Sequence, residues 1–231
     1  MWTGMVERVS HPGRIRGLYS RFAPVYDLFS GYERPHHREA IRRAEIRPDD
    51  RVLEVACGTG QATVAIARRL GAGGRLVAVD LTPAMLRRAR RKLKRCGLVD
   101  RVETAVGDAR RLAFDDDTFD VLYNGFMFDL VDVDGMARIL AEFKRVLKPG
   151  GRLVVVSTSK DSARRTVYET LYERGLLGFV SGGCRPVLLE RYVNEAGFED
   201  VQRTFHVNRS WLPLARFFGA EIVTATKPTP S

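Results

Sequence analysis

The sequence predicts an α/β fold in which a parallel sheet is covered on both faces by helices. Two observations carry this. Apolar runs of strand length alternate with stretches of helical periodicity, and glycine turns separate them. The first run, Arg51 to Ala56, ends in Cys57-Gly58-Thr59-Gly60, and a helical pattern follows from Gln61 to Leu70. After the turn Gly71-Ala72-Gly73-Gly74, Arg75 to Asp80 is the second strand. Thr82 is placed to cap the next helix and Pro83 to open it. Arg101 to Asp108 reads as a third strand and Phe119 to Gly125 as a fourth. Asp134 to Leu147 is a helix stopped by Lys148-Pro149-Gly150-Gly151, and Arg152 to Ser157 is the fifth strand. Ala163 to Arg174 and Pro186 to Ala196 look helical, and Asp200 to Val207 and Ala220 to Lys227 are expected as a closing antiparallel pair. Residues 1–47 contain no strand. Leu18, Phe22, Val25, Tyr26 and Phe29 share one helical face and His36 to Arg47 continues as a second helix, so this arm is expected to cap a unit formed by residues 48–231.

A chain of 231 residues with 45% hydrophobic and 29% charged residues is a globular domain rather than a disordered one. No apolar stretch approaches the ~20 residues of a membrane helix, and the N-terminal region shows no signal-peptide core, so a cytoplasmic protein is expected. Cys57, Cys96 and Cys184 form no CxxC pair, and no His/Cys/Asp cluster has ligand spacing, so neither a disulfide framework nor a metal site is expected. The net charge of +10 is uneven: residues 51–100 hold eleven Lys/Arg against three acids, whereas residues 101–150 hold seven against ten. Met85, Leu86, Ala89, Leu93 and Cys96 form an apolar helical stripe, with Arg87, Arg88, Arg91, Lys92, Lys94 and Arg95 turned outward. A solvated face is the plain reading; RNA or an acidic lipid surface is the sharper one. The absence of interleaved aromatic residues argues against nucleic acid.

A parallel α/β sheet binds its ligand at the carboxyl ends of its strands. There the sequence places Glu54, the bend containing Gly58 and Gly60, Asp80 and Asp108. Asp80 suits a bidentate grip on ribose hydroxyls, and Gly107-Asp108-Ala109 an adenine amino edge. A dinucleotide loop would want glycine where Thr63 stands, and no Lys-Ser/Thr follows the glycines to cradle a phosphate. Three carboxylates would repel a pyrophosphate and suit a nucleoside bearing an ammonium and a sulfonium, which favours S-adenosylmethionine over NAD or ATP.

The ordered set VLEVACGTG, VAVD, VGDA, FDVLYNGF and RVLKPGGRLVVVS resembles the successive motifs of class I S-adenosylmethionine-dependent methyltransferases, over roughly residues 15–160. The resemblance implies a doubly wound, Rossmann-like seven-stranded sheet in the order 3-2-1-4-5-7-6, with the last strand antiparallel. It also implies S-adenosyl-L-methionine as cofactor and S-adenosyl-L-homocysteine as product. Position by position, Glu54 would face the methionine end and Ala56, Gly58 and Gly60 would line it. Asp80 would hold the ribose, Leu81 and Met85 would flank the adenine, and Asp108 and Ala109 would bind its edge. Asn124 and Gly125 would lie beside the reactive sulfur. Ala56 stands where the family often has glycine.

The arm segment Tyr19 to Tyr32 resembles the opening of ubiquinone- and menaquinone-type C-methyltransferases and of bacterial phospholipid N-methyltransferases, whose A-x-x-Y-D segment, here Ala23 to Asp27, folds over the cofactor. Tyr26 is the expected lid residue. Phe126, Met127 and Phe128 offer an apolar wall and Asp129 a carboxylate, and no NPPY-type tetrapeptide points to a nucleobase. Tyr168, Leu171, Tyr172, Leu176, Leu177 and Phe179 are candidates for a greasy channel, and ordinary helix packing explains them equally well. His206 is a candidate base for a phenol-like hydroxyl, against a structural role, whereas His36 and His37 read as solvent-facing. Tyr26, Asp129 and His206 are thus the candidate catalytic residues. The reading is a methyltransferase for a small apolar or lipid-like acceptor, with quinone-type C-methylation ahead of N- or O-methylation of a phospholipid or other small molecule. It includes peripheral contact with an anionic membrane. RNA methylation and a non-catalytic nucleoside-binding role are the alternatives.

Overall fold

The computed structural model describes residues 12–24, 26–159, 185–207 and 219–230. Three helices precede the sheet: α1 (Pro12–Phe22), α2 (Tyr26–Phe29) and, after a 3-10 turn at Ser30–Glu33, α3 (Arg34–Arg43). The doubly wound part follows as β1 (Arg51–Val55), α4 (Gln61–Ala67), β2 (Arg75–Asp80), α5 (Pro83–Arg95), β3 (Val102–Val106), β4 (Phe119–Gly125), α6 (Val133–Val146) and β5 (Leu147–Thr158). A short helix α7 (Leu189–Glu195) precedes β6 (Glu199–Val207) and β7 (Gly219–Thr226). The seven strands form one sheet in the order β3-β2-β1-β4-β5-β7-β6, as the resemblance implied. β1 pairs in parallel with β2 and with β4, while β7 runs antiparallel between β5 and β6.

Near-continuous apolar strands are explained by burial on both faces. Leu53, Val55, Val79 and Leu122 face one layer, where Met136, Leu140 and Phe143 of α6 cover them. Val52, Ala78, Val121 and Tyr123 face the other, beneath Ile41 of α3, Ile66 of α4 and Leu86 and Leu93 of α5. The strand order reverses between β1 and β4, so the loops after these strands diverge and leave a crevice at their carboxyl ends.

Several local expectations change. Ala23 and Pro24 form a turn that divides the anticipated single arm helix into α1 and α2. The third strand ends at Val106, which places Asp108 in the loop. β5 begins at Leu147, because Leu147 pairs with Phe119 and Arg152 with Val121, so the Lys148–Gly151 stretch bulges out between the two pairs rather than simply ending the helix. Thr82 has the extended backbone of a cap but no side-chain cap bond. Its N–H donates instead to Asp80 Oδ1 at 2.8 Å. Cys96 lies past the end of the α5 stripe and is exposed. The anticipated helix at Ala163 to Arg174, and the channel residues around it, lie outside the described residues.

Gly60 sits at φ +83°, and a Cβ there would stand 3.0 Å from Ala89 Cβ and 3.1 Å from its Cα. Glycine lets α5 close against the bend. Gly60→Ala is therefore expected to combine left-handed strain with overpacking and to cost ~2–4 kcal/mol in urea unfolding.

Candidate functional site

The crevice is built around the bend after β1. Ala56, Gly58 and Gly60 all have positive φ, at 58°, 56° and 83°. The bend is tied to β2: Cys57 N–H donates to Val79 O at 3.0 Å and Gly58 N–H to Asp80 Oδ2 at 2.8 Å. With Oδ1 taken by the Thr82 amide, each Asp80 oxygen is fixed by one backbone donor and keeps capacity for a second. Burial raises the Asp80 carboxyl above the usual range, against the opposing pull of these two amides. A Cβ on Gly58 would meet nothing within 4 Å, so the bend opens onto free space there.

Two buried acceptors at the strand ends lack partners. Glu54 is 2% exposed and its Oε2 makes no hydrogen bond. Burial pushes its pKa up to about 8, and the neighbouring Asp80 carboxylate adds to the rise. Asn124 donates through Nδ2 to Val55 O at 2.8 Å, while its Oδ1 has no partner. Orphaned buried acceptors are costly and fit a ligand that brings donors or positive charge. Asp108 differs: Arg110 grips it with Nε at 2.9 Å and Nη2 at 2.6 Å, which holds its carboxyl below the usual range. The trio of acids anticipated at the strand ends is thus one amide-clamped carboxylate, one carboxyl that burial keeps protonated at neutral pH, and one ion pair.

The cavity is about 940 Å³ including its solvent-open part. Tyr26, Ala56, Gly58, Asp80, Leu81, Met85, Asp108, Ala109 and Gly125 line it. Glu54, Gly60 and Asn124 stand outside its lining: Gly60 serves helix packing, and the other two lie buried behind the wall. The far wall is apolar, with Phe126, Met127, Leu130 and Ile139 facing Ile15 and Tyr19 of α1. The periodicity of Ile15 and Tyr19, four residues apart and seven before Tyr26, was the available signal for the two arm residues that sequence reasoning missed. Asp27 fastens this arm. Its Oδ1 accepts from the Thr59 hydroxyl of the bend and from Lys92 Nζ of α5 at 3.0 Å, and Arg88 approaches Oδ2 at 3.7 Å. Arg88 and Lys92 are therefore half-buried latch residues rather than outward charges.

Residues 52–151 match the family model described as a methyltransferase domain. A demethylmenaquinone methyltransferase of Lactiplantibacillus plantarum is 35% identical over 161 residues, which span 68% of this chain and 66% of that protein. A ubiquinone/menaquinone biosynthesis C-methyltransferase, UbiE, of Teredinibacter turnerae is 39% identical over 152 residues, 64% of this chain and 60% of its own length. This chain carries a class I S-adenosylmethionine-dependent methyltransferase domain. It spans about three fifths to two thirds of the length of the curated relatives it matches. Among solved structures, the [4+2]-cyclase SpnF superposes with a TM-score of 0.73 at 20% identity, covering 95% of this chain and 97% of the other. Geranyl diphosphate C-methyltransferase from Streptomyces coelicolor superposes at 0.66 with 17% identity, over 84% and 79%. These two likenesses show the fold.

Within the methyltransferase domain, two candidate catalytic residues are placed elsewhere. Asp129 is 1% exposed and outside the cavity lining. Its carboxyl accepts the Thr158 amide at 3.0 and 3.1 Å and the Thr158 hydroxyl at 2.7 Å, so it pins the loop after β4 to the end of β5. Burial pushes its pKa up to about 7 despite these bonds. His206 on β6 also stands outside the lining and meets His36 Nδ1 at 2.8 Å. His36 is buried rather than solvent-facing, and burial, with His206 and His37 beside it, pulls its pKa down to about 3. His37 is half-buried, with Nδ1 2.7 Å from the Tyr123 hydroxyl.

The raised pKa of Glu54 has a stability sign. An unfolded Glu releases its proton near 4.5, whereas Glu54 in the folded chain holds it to about 8. The folded state therefore binds more protons between these values, and its stability falls as pH rises through that window. Asp129 adds a similar slope up to about 7. Glu54→Gln should flatten the decline of unfolding free energy by up to about 1.4 kcal/mol per pH unit, leaving the Asp129 part. Urea titrations across the window in the ligand-free protein check this.

Proposed function

We propose that this chain transfers a methyl group from S-adenosylmethionine to a ring carbon of a quinone-type, lipid-like acceptor. The observation that carries the reading is the polarity gradient of the cavity, from the clamped Asp80 carboxylate at one end to the apolar wall shared by α1 and the loop after β4. The printed names of the curated relatives, demethylmenaquinone and ubiquinone/menaquinone methyltransferases, support the same acceptor class. When bound, the cofactor supplies a methyl group on a sulfonium that is open to in-line displacement. The chain's task is then alignment and exclusion of water. Asp80 holds the ribose hydroxyls, with Leu81 and Met85 against the adenine faces and Asp108, oriented by Arg110, with Ala109 at its edge. Ala56, Gly58 and Gly125 line the amino-acid end, with the unpaired oxygens of Glu54 and Asn124 buried behind that wall. Tyr26 closes the cavity, and the Asp27 latch keeps the arm seated on the bend.

Peripheral contact with an anionic membrane follows from where the charge lies. α1 and α5 together carry ten Lys/Arg and no acid, and α1 packs on α5. Arg16, Arg21, Arg87, Arg91, Lys94 and Arg95 are exposed on these helices, while Ile15 and Tyr19 of α1 wall the acceptor end. No helix among the described residues is long and apolar enough to cross a membrane. A lipid-like acceptor would thus enter beside a cationic face.

Labelled methyl transfer to a short-chain demethylated quinol tests the function, with label expected in the organic phase and one added methyl on the ring by mass spectrometry. An acceptor left unmethylated under saturating cofactor would refute it. Asp80→Asn should weaken cofactor binding by ~1.5–3 kcal/mol in calorimetry, through loss of a charge-assisted grip. Anionic vesicles should retain the protein and zwitterionic ones should not, and combined Arg87→Glu, Arg91→Glu and Lys94→Glu changes should release it, as should salt near 1 M, where the Debye length falls to about 3 Å.

A further inference from the structure

Behind Tyr26 runs a polar chain that cofactor binding does not use. The Tyr26 hydroxyl donates to Glu33 Oε1 at 3.3 Å. Glu33 is 7% exposed, and its Oε2 lies 3.9 Å from His37 Nε2. On the other side of the ring, His37 Nδ1 shares the 2.7 Å bond with the Tyr123 hydroxyl, which is buried in the sheet. Burial keeps that phenol well above its ordinary pKa, so it stays protonated. The two ring nitrogens of His37 thus face Tyr123 on one side and Glu33 on the other. The ring also rests against two residues that line the cavity. Its centroid is 5.4 Å from that of Phe126, edge to face, and a Cβ on Gly125 would meet His37 Cε1 at 2.6 Å. The fold therefore spends a glycine at the end of β4 to seat this histidine.

We propose that Tyr26, backed by Glu33 and His37, accepts the proton of an acceptor hydroxyl during methyl transfer. The proposal rests on the methyl-transfer reading above and names the group that makes the acceptor carbon nucleophilic. Tyr26 lines the cavity and would touch the acceptor; Glu33 and His37 are positioning residues that act through it. As the acceptor oxygen loses its proton to Tyr26, the Tyr26 proton passes to Glu33, which the His37 ring flanks. The ring carbon forms its bond to the methyl carbon while the methyl–sulfur bond breaks and its electron pair stays on sulfur. The ring C–H proton then leaves to water, its electron pair restores the aromatic ring, and the oxygen regains its proton by the same path. The sum is one methylated acceptor, one neutral thioether and one released proton. His206, the histidine the sequence offers as a base, is instead paired with His36 away from the cavity lining.

Among the described residues, the ionisable groups around Glu33 and His37 are Tyr26 on α2, His36 on α3, Tyr123 on β4 and Asp129 after β4, with Glu54 beyond Tyr123 and His206 beyond His36. Each pH measurement is therefore made against the matching variant. Glu33→Gln and Tyr26→Phe should each lower kcat on the hydroxylated acceptor about a hundredfold. The acid limb of the kcat–pH profile should vanish, with KM and melting temperature near those of the parent protein. A parent protein that methylates the quinol while Glu33→Gln matches it across the pH range would overturn the relay and leave the function standing. A loss confined to KM or to melting temperature would overturn it as well. A parent protein that never methylates the quinol would refute the function itself and the relay with it.

Discussion

One carboxylate holds the site in shape. Asp80 accepts the Gly58 amide on one oxygen and the Thr82 amide on the other, and so fixes the bend after β1 against the start of α5. The bend has three strained positions at alternate residues, since Ala56, Gly58 and Gly60 all need left-handed backbone. Local propensity does not supply that conformation for alanine; the tie to β2 does. Everything that reaches the cavity from the second strand, including Leu81 and Met85, is placed by the same anchor. Its carboxyl is buried and raised in pKa, so the anchor and a polar ligand would satisfy the same group.

The parallel strands were legible because burial on both faces writes a run of apolar residues that few other environments tolerate. The cavity lining was legible where it coincides with strand ends, because Asp80, Asp108 and the glycines stand at fixed offsets from those runs. The less visible half depends on contacts far apart in sequence. α3 reads RPHHREAIRR, which looks like a solvated helix, yet its His36 is buried against His206 of β6, its His37 meets Tyr123 of β4, and Glu33 just before it is buried beside Tyr26 and His37. Asp129 had the surroundings of a catalytic acid, an apolar loop after β4. Only the register of β5 reveals that Thr158 consumes its oxygens. The basic run on α5 concealed two functions in one pattern, since Arg88 and Lys92 turn to Asp27 while their neighbours stay exposed.

Charge and greasiness are also sorted by the fold. The apolar wall of the cavity is shared between α1 and the loop after β4, two segments separated by more than a hundred residues, and neither makes a pocket alone. The positive excess of the chain is gathered on α1 and α5, next to the side from which an apolar acceptor would come. Acidic groups cluster instead at the inner end, where each is buried, clamped or paired. A single molecule of mixed character could not be held by either end alone.

The Asp27 contacts tie the arm to the rest of the cavity. Thr59 belongs to the bend and Lys92 to α5, so the arm that forms part of the apolar wall is fastened to the elements that frame the polar end of the cavity. Peeling the arm away to admit a bulky partner would loosen the other compartment in the same motion. Such wiring couples the two ends of the cavity, so that neither opens without disturbing the other. It also means that trimming the leading helices would not yield a smaller, more open catalyst but a sheet whose two half-sites no longer speak to each other.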